Sequence, residues 1–283
     1  RLTRSKEAGG GPTAPTFAAF NVLKQTVALD LKRPQDLQRA RTLCISADVV
    51  VEAFRPGVMD RLGLGAAELR KANPGLVYAA LSAFGEDGPE RARGGVDIVL
   101  QAETGLMSVT GDSGPMKAGV PIIDAASAMA LATGILAALV GRSRKGKGQK
   151  VTTSMLDVGV FLQAQQFAEY LNSGVVPPRV GNRAAYAAPA DIYRASDGML
   201  VLSAHIKPHW KALCVILGHE DQDAVLLRTG FVHLHQKTSL TTENAYPFFV
   251  HAGKGRDDCF HAPRVDIRGG KRIGIAYGKA RRP

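Results

Sequence analysis

The sequence LVYAAL occupies Leu76–Leu81, directly after the turn sequence NPG at Asn73–Gly75. A short apolar run bounded by turn residues is typical of a strand that is buried on both faces. A similar run, DVVVE, lies upstream at Asp48–Glu52 and ends before Pro56-Gly57, and the segment Ala66–Ala72 between the two runs has helical character. Strands that alternate with helices in this way predict βαβ units and a mostly parallel sheet.

The same alternation extends along the chain on both sides. Pro34 favours a helix start, and apolar residues spaced along one face predict a helix over Gln35–Leu43. The remaining elements predicted from hydrophobic spacing are the strands Thr26–Leu31 and Val151–Ser154 and the helices Ile98–Met107, Ala125–Val140 and Met155–Asn172. We therefore expect an α/β fold, with a Rossmann-like parallel sheet and helices on both of its faces.

The character of the chain changes after Pro177-Pro178. Asp191–Ala195 and Met199–Ser203 flank an Asp-Gly turn, which predicts a β-hairpin, and Trp210–Leu217 reads as a helix closed by Gly218. These elements predict a smaller α+β second domain. We place the large domain at residues 1–176, the start of the second domain at 177–221 and a divergent tail at 222–283.

The tail differs from the rest of the chain in charge and composition. It contributes +6 of the net charge of +11 and holds four of the seven histidines, without metal-ligand spacing. Its hydrophobic periodicity is weak, and a segment that buries little apolar surface cannot offset an ordering entropy of about 1–2 kcal/mol per residue. We expect the tail to be irregular, as divergent sequence or as the product of a shifted reading frame.

Composition limits the function classes. Of the 283 residues, 45% are hydrophobic and 22% charged, as in soluble globular proteins, and no uninterrupted apolar run is long enough to predict a membrane span. Three widely separated cysteines predict neither a disulfide framework nor a metal site, which favours the cytoplasm. The chain begins at Arg1, so we expect either a processed terminus or, preferably, a piece of a longer gene product.

A series of motifs follows the predicted elements in a fixed order. It comprises VALDLK (Val27–Lys32), VEAFRPGVMDRLGL (Val51–Leu64), NPGLVYAALSAFGEDGP (Asn73–Pro89), GGVDIVLQAETGLMSVTG (Gly94–Gly111) and the long block from Gly119 to Asp157 that begins GVPIID. Together these motifs resemble the class III coenzyme A transferases of the CaiB/BaiF type, which include formyl-CoA and carnitine CoA transferases. The resemblance covers roughly residues 20–221. It implies transfer of CoA from an acyl-CoA to a free carboxylic acid, without a metal or an organic cofactor.

Asp124 is the candidate catalytic residue. It follows the apolar residues Val120–Ile123 and precedes a helix of small residues, so the local sequence favours an ordinary helix N-cap. A carboxylate at a helix N-terminus is also held ionised, as a nucleophile for acyl transfer must be. The resemblance aligns Asp124 with the catalytic aspartate of the family, which implies that Asp124 forms an aspartyl-CoA thioester.

The resemblance also implies a set of CoA-binding residues. From the residues alone, Lys32 and Arg61 are ordinary exposed charges; the resemblance assigns them to the phosphates of CoA, for which Lys and Arg are natural partners. Two positions depart from the family pattern, Ala53 in place of an Asn and Val96 in place of an aromatic residue. The full set is Leu29, Lys32, Ala53, Phe54, Arg55, Arg61, Leu62, Gly94, Gly95, Val96 and Asp97.

Other functions remain as alternatives. A racemase acting on α-methylacyl-CoA needs two acid–base groups, and Val96 occupies the place where racemases of this fold carry a histidine. The family's first strand–helix–strand is not recognisable in this chain, so an inactive CoA-binding or dimer-forming fragment is a second alternative. The basic stretch RSRKGKGQK at Arg142–Lys150 lacks interleaved aromatic residues and predicts a solvated turn, not a nucleic-acid site. The resemblance implies an interlocked homodimer.

Overall fold

The computed structural model describes residues 15–185, 187, 189–194, 198–217 and 249–252. Contacts divide the chain into two compact units. The first unit comprises residues 1–104 and 119–167, and the second comprises residues 105–118 and 168–283. The second unit thus begins its main segment shortly before the boundary predicted at Pro177, and it also takes in a short segment from the middle of the chain.

The first unit is built on a three-stranded parallel sheet in the order β1-β2-β3. Its strands are β1 (Val49–Glu52), β2 (Val77–Ser82) and β3 (Lys150–Ser154). Val49 is paired with Val77, and Tyr78 is paired with Lys150. The helices that begin in this unit are α1 (Pro15–Phe20), α2 (Pro34–Ser46), α3 (Val58–Arg61), α4 (Ala66–Ala72), α5 (Asp97–Glu103), α7 (Ile122–Lys145), α8 (Met155–Phe161) and α9 (Ala164–Ser173).

Two core clusters lie on opposite faces of β2. Tyr78 and Ala80 belong to a cluster with side chains of α2, α3 and α4, whereas Leu81 packs against a second cluster. The second cluster consists of Phe84, Leu100, Ile123 and Met155, which brings in α5, α7 and α8. Successive side chains of a strand point to opposite faces, so helices cover both faces of β2. The predicted α/β fold is confirmed.

The second unit contains an antiparallel sheet in the order β4-β5-β6. Its strands are β4 (Ala190–Arg194), β5 (Met199–Ser203) and β6 (Phe249–Ala252), and its helices include α6 (Leu106–Val109) and α10 (Lys207–Leu217). Ile192 is paired with Val201 in the predicted hairpin. Leu202, Ala204, Trp210, Leu213 and Cys214 form the core. Strand β6 lies in the predicted tail; the rest of residues 222–283 falls outside the described residues, so the prediction of an irregular tail stays a prediction.

The predicted strand at Thr26–Leu31 is wrong. Residues 24–30 have no regular secondary structure, and a turn begins at Leu31. Asp30 stabilises this turn: its amide donates to the Asp36 carboxylate at 3.1 Å, and its own carboxylate accepts from the amide of Lys32 at 3.1 Å. A short acidic side chain that bonds to a nearby backbone amide favours a turn over a ladder. Leu29 and Leu31 nevertheless pack against the first core cluster.

The long helix predicted over Met155–Asn172 is divided into α8 and α9. The buried Gln163 side chain donates from Nε2 to the carbonyl of Gly159 at 2.9 Å and to that of Thr104 at 3.0 Å. The Gln163 amide instead donates to the carbonyl of Val160 at 3.0 Å. A side chain has therefore taken an acceptor that the helix ladder would use, which tightens and ends α8.

Helix α7 leaves large apolar side chains exposed along one face, although its apolar sequence is typical of a buried helix. Met129 and Leu136 are 73% and 63% exposed, and Val140 is 54% exposed. Length and composition alone make α7 capable of crossing a membrane. Helices of soluble proteins meet the same two criteria.

Candidate active site

A cavity of about 440 Å³ lies at the carboxyl ends of the parallel strands of the first unit. Ligands bind at this edge in open α/β sheets because the loops that follow the strands converge there. The loops after β1 and β2 and the residue after β3 supply most of its wall. The lining residues are Ala53, Phe54, Arg55, Pro56, Leu81, Ser82, Ala83, Arg93, Gly94, Gly95, Val96, Val99 and Met155.

The turn after β1 is held by Glu52. Its carboxylate accepts a hydrogen bond from the amide of Phe54 at 2.7 Å. Burial raises the pKa of Glu52, an effect partly opposed by this hydrogen bond. The turn continues through Gly57, whose φ of 79° is readily adopted by glycine, into α3. The result is an exposed Phe54 and an exposed Arg55 facing the cavity.

The pair Gly94-Gly95 forms the opposite wall. A Cβ atom on Gly94 would lie 2.9 Å from Nη2 of Arg55, so the absence of a side chain lets the guanidinium approach the backbone. A Cβ atom on Gly95 would overlap Cδ2 of Leu100 and lie 2.9 Å from Cβ of Ala83. These two glycines therefore permit the loop to close onto the sheet and onto Arg55.

Arg93 was not predicted from the sequence, although it lines the cavity. Its guanidinium pairs with Glu90 at 3.0 Å and with Glu103 at 2.6 Å, and it stacks 4.5 Å from the ring centroid of Phe84. Leu81–Ala83 and Met155 were also missed. The general position of ligand sites at strand ends would have pointed to these last residues, because Leu81 and Ser82 end β2 while Ala83 and Met155 directly follow β2 and β3.

Asp124 lies in the first turn of α7 with an exposed side chain. The predicted N-cap role is wrong: Pro121 is the N-cap residue, and no side-chain hydrogen bond caps the helix from that position. Instead Oδ1 of Asp97 accepts from the amides of Ile123 at 2.8 Å and of Asp124 at 3.1 Å. The carboxylate of Asp124 is thus left for other partners.

Although Asp124 is exposed to solvent as a residue, neighbouring atoms partly desolvate its carboxyl group, and this desolvation, followed by the charge of Asp97, raises the pKa of Asp124 above its usual value. This direction is opposite to the effect of a helix N-terminus alone, which favours the ionised form. Desolvation and a like charge both favour the protonated form of a carboxyl group. The electrostatics of Asp124 are therefore set by its neighbours as well as by its own helix.

The structure brings together six of the eleven predicted CoA-binding residues. Ala53, Phe54, Arg55, Gly94, Gly95 and Val96 line the same cavity. The other five lie outside the cavity wall: Leu29 and Leu62 pack against the first core cluster, Lys32 and Arg61 are exposed, and Asp97 holds the start of α7. The CoA-binding roles of all eleven residues stay predictions. In the described part of the chain, no three His, Cys, Asp or Glu residues are grouped as a metal site would require.

The family model for CoA-transferase family III matches residues 1–239. The chain belongs to CoA-transferase family III. The confirmed resemblance extends beyond the motifs of residues 20–221, because the family match begins at residue 1 and ends within the tail.

Individual members of the family agree with this assignment. The chain is 39% identical to the "Probable fatty acyl-CoA transferase" of Mycobacterium tuberculosis over 75% of this chain and 57% of that protein. It is 36% identical to the succinate–glutarate CoA-transferase of Agrobacterium fabrum, covering 74% and 53% of the two chains. The crystal structure of a CaiB/BaiF family protein from Brucella suis superposes with a TM-score of 0.64 at 32% identity, covering 73% and 55%. The chain thus spans about half the length of the relatives it matches.

Proposed function

We propose that this chain supplies the catalytic carboxylate and part of the CoA site of a CoA transferase that moves coenzyme A from an acyl-CoA to a free carboxylic acid. The observation that carries the proposal is the arrangement at the start of α7. Asp124 presents an exposed carboxylate there while its backbone is held by Asp97. The same unit contains a cavity at the strand ends with Arg55 in its wall.

The proposed reaction runs through Asp124. A carboxylate oxygen of Asp124 attacks the thioester carbonyl carbon of the donor, the carbon–sulfur bond breaks, and CoA leaves as a thiolate. The thiolate attacks the Asp124 carbonyl of the resulting mixed anhydride, which releases the donor acid and leaves an aspartyl-CoA thioester. The acceptor carboxylate attacks this thioester, and the expelled thiolate then attacks the acceptor carbonyl of the second anhydride, which gives the new acyl-CoA and regenerates Asp124.

Covalent catalysis of this kind needs no metal or organic cofactor, because CoA is the group transferred. The charges on CoA are phosphates, for which a guanidinium is a strong hydrogen-bonding partner. Arg55 is the candidate for this contact inside the cavity, since Gly94 leaves room for it. Arg93 is already paired with Glu90 and Glu103 and is a weaker candidate.

A racemase is disfavoured by the wall of the cavity. Inversion at the carbon next to a thioester requires one group to remove a proton and another to return it on the opposite face. Val96 lines the cavity with 61% of its surface exposed, and an isopropyl group transfers no proton. We therefore favour acyl transfer over proton transfer at this site.

We also propose that the family's homodimer forms through the exposed face of α7. Met129, Leu136 and Val140 present apolar side chains on one stripe of this helix. Exposed apolar surface of this kind marks contacts with other proteins. A second copy of the chain is the occupant that we propose.

The reaction is tested by trapping the intermediate on the protein. The chain is incubated with succinyl-CoA, or with a fatty acyl-CoA, in the presence of hydroxylamine, which converts an activated aspartyl group into a hydroxamate. Peptide mass spectrometry should locate the hydroxamate at Asp124. Asp124→Asn should lose it, whereas Asp87→Asn, a change of an exposed aspartate outside the cavity, should retain it. A hydroxamate found on another residue would contradict the proposal.

A further inference from the structure

The carboxylate of Asp97 receives three hydrogen bonds from two helices. Its Oδ1 accepts from the amides of Ile123 and Asp124 at 2.8 and 3.1 Å, at the start of α7. Its Oδ2 accepts from Nε2 of Gln101, one turn further along α5, at 2.5 Å. Both oxygens therefore have protein donors.

This arrangement compensates for a helix that begins without a cap of its own. The first amides of a helix have no partner within the helix, and Pro121 supplies no side-chain acceptor for them. Asp97 provides that acceptor from a neighbouring element, 27 residues away in sequence from Asp124. The backbone position of Asp124 thus depends on a side chain of α5.

Gln101 fixes Asp97 in this position. The Gln101 side chain is completely buried, and it reaches Asp97 from within the same helix. A buried amide has few alternative orientations, so the carboxylate that it contacts is also restricted. Leu100, next to Gln101, and Ile123, next to Asp124, are both fully buried in the second core cluster. These two side chains thus pack in one cluster beside Gln101 and Asp124.

We propose that Asp97 is a positioning residue for the nucleophile: it holds the backbone of Asp124 and places a second negative charge beside the Asp124 carboxylate. This inference rests on the proposed role of Asp124. It differs from the CoA contact that the resemblance implies for Asp97, because an anionic side chain whose oxygens already accept three protein hydrogen bonds is a poor partner for phosphates.

The second charge has a chemical consequence. A like charge favours the protonated form of a carboxyl group, and the charge that acts on Asp124 is that of Asp97. Once ionised, a more basic carboxylate is also the stronger nucleophile. Asp97 therefore opposes the ionisation of Asp124 but makes the ionised form of Asp124 more reactive. Asp97 therefore influences both the geometry and the reactivity of Asp124.

Two variants separate these effects. Asp97→Asn keeps an oxygen for the amides of Ile123 and Asp124 but removes the charge. Asp97→Ala removes both the acceptor and the charge. Asp87→Asn is the control for the loss of one exposed carboxylate from the same unit.

The direct measurement is the titration of Asp124 in protein labelled with ¹³C at aspartate side chains, with the Asp124 signal assigned from the Asp124→Asn variant. Asp97→Asn should lower the pKa of Asp124. The pH below which the rate of hydroxamate formation falls should therefore also be lower in this variant, whereas its affinity for CoA should be unchanged. Asp97→Ala should slow hydroxamate formation roughly tenfold or more at every pH, because a displaced nucleophile meets the thioester poorly.

Several results would overturn the inference. One is an unchanged titration of Asp124 in both Asp97 variants; another is a loss of CoA affinity in Asp97→Asn, which would instead support direct contact with CoA. Failure of the proposed function gives a different pattern. If Asp124 is not the nucleophile, the Asp124→Asn variant would still form the hydroxamate. The pKa of Asp124, measured in protein that retains this residue, would nevertheless change in the Asp97 variants, since this measurement needs no catalysis.

Discussion

Asp124 keeps an exposed carboxylate in the first turn of α7 beside a second carboxylate, that of Asp97. Partial desolvation by neighbouring atoms, followed by the charge of Asp97, raises the pKa of Asp124. A residue whose ionised form is disfavoured in the folded state is typical of functional sites, where reactivity is maintained at the expense of stability.

Asp124→Asn should increase the stability of the folded chain near neutral pH. Because the folded-state pKa of Asp124 is raised, its contribution to stability is fully present below the usual pKa of an aspartate and is lost as the pH rises through the raised value. The asparagine variant has no such loss. Thermal melts as a function of pH should show the variant melting above the unmodified chain at neutral pH, with the gap closing as the pH falls. An equal melting difference at every pH would contradict this explanation.

Arg55→Ala, Lys32→Ala and Arg61→Ala should each weaken CoA binding, and the effect should shrink at high salt because charge–phosphate attraction is screened. Arg55→Ala should have the largest effect, since Arg55 alone among the three lines the cavity. If a residue contacts the 3′-phosphate, its substitution should weaken the binding of dephospho-CoA less than the binding of CoA. Calorimetric titration measures the affinity of the three variants for CoA. The control is Lys71→Ala, which replaces an exposed lysine at the end of α4. Unchanged affinity in Lys32→Ala and Arg61→Ala would make them ordinary surface charges.

At the scale of elements, the local signals predicted most helices and strands and missed the places where distant residues intervene. The bounds of α4 agree with the prediction, because an alanine-rich segment between Gly65 and an Asn-Pro-Gly turn has clear start and stop signals. Helix α8 ends where the buried Gln163 side chain occupies the carbonyl of Gly159, and the same side chain is held by Thr104, a residue far away in sequence. The turn at Asp30 likewise depends on the carboxylate of Asp36.

Gly95→Ala tests the close approach of the loop to the sheet. The added methyl group would overlap Leu100 and crowd Ala83, and overpacking of this kind costs about 1–3 kcal/mol. We expect a lower free energy of unfolding in urea and weaker CoA binding, because the displaced loop forms one wall of the cavity. Gly119→Ala is the matched control, since its Cβ would meet nothing within 4 Å. Equal stability of the two variants would show that the loop can move without loss.

At the scale of the whole molecule, the exposed stripe on α7 leads to a prediction about assembly. Leu136→Lys should weaken self-association because it places a charge in the proposed apolar contact, where Leu136 is 63% exposed in the single chain. Sedimentation velocity over a range of concentrations should show a dimer for the unmodified chain and a monomer for the variant. Leu23→Lys, at a fully exposed leucine elsewhere, should remain dimeric. A monomeric unmodified chain at every concentration would contradict the proposal.

The α/β alternation, the family and the choice of Asp124 as the candidate nucleophile could all be predicted from the amino-acid sequence, because apolar periodicity and ordered motifs are properties of the chain alone. The residue whose side chain accepts from the first amides of α7 could not be predicted in this way, because it depends on contacts in the folded chain. Local sequence favoured Asp124, whereas the folded chain uses Asp97, which a neighbouring helix brings within hydrogen-bonding distance. Hydrogen bonds and like-charge effects depend on distance in space, and packing of Leu100 and Ile123 into one core sets that distance here.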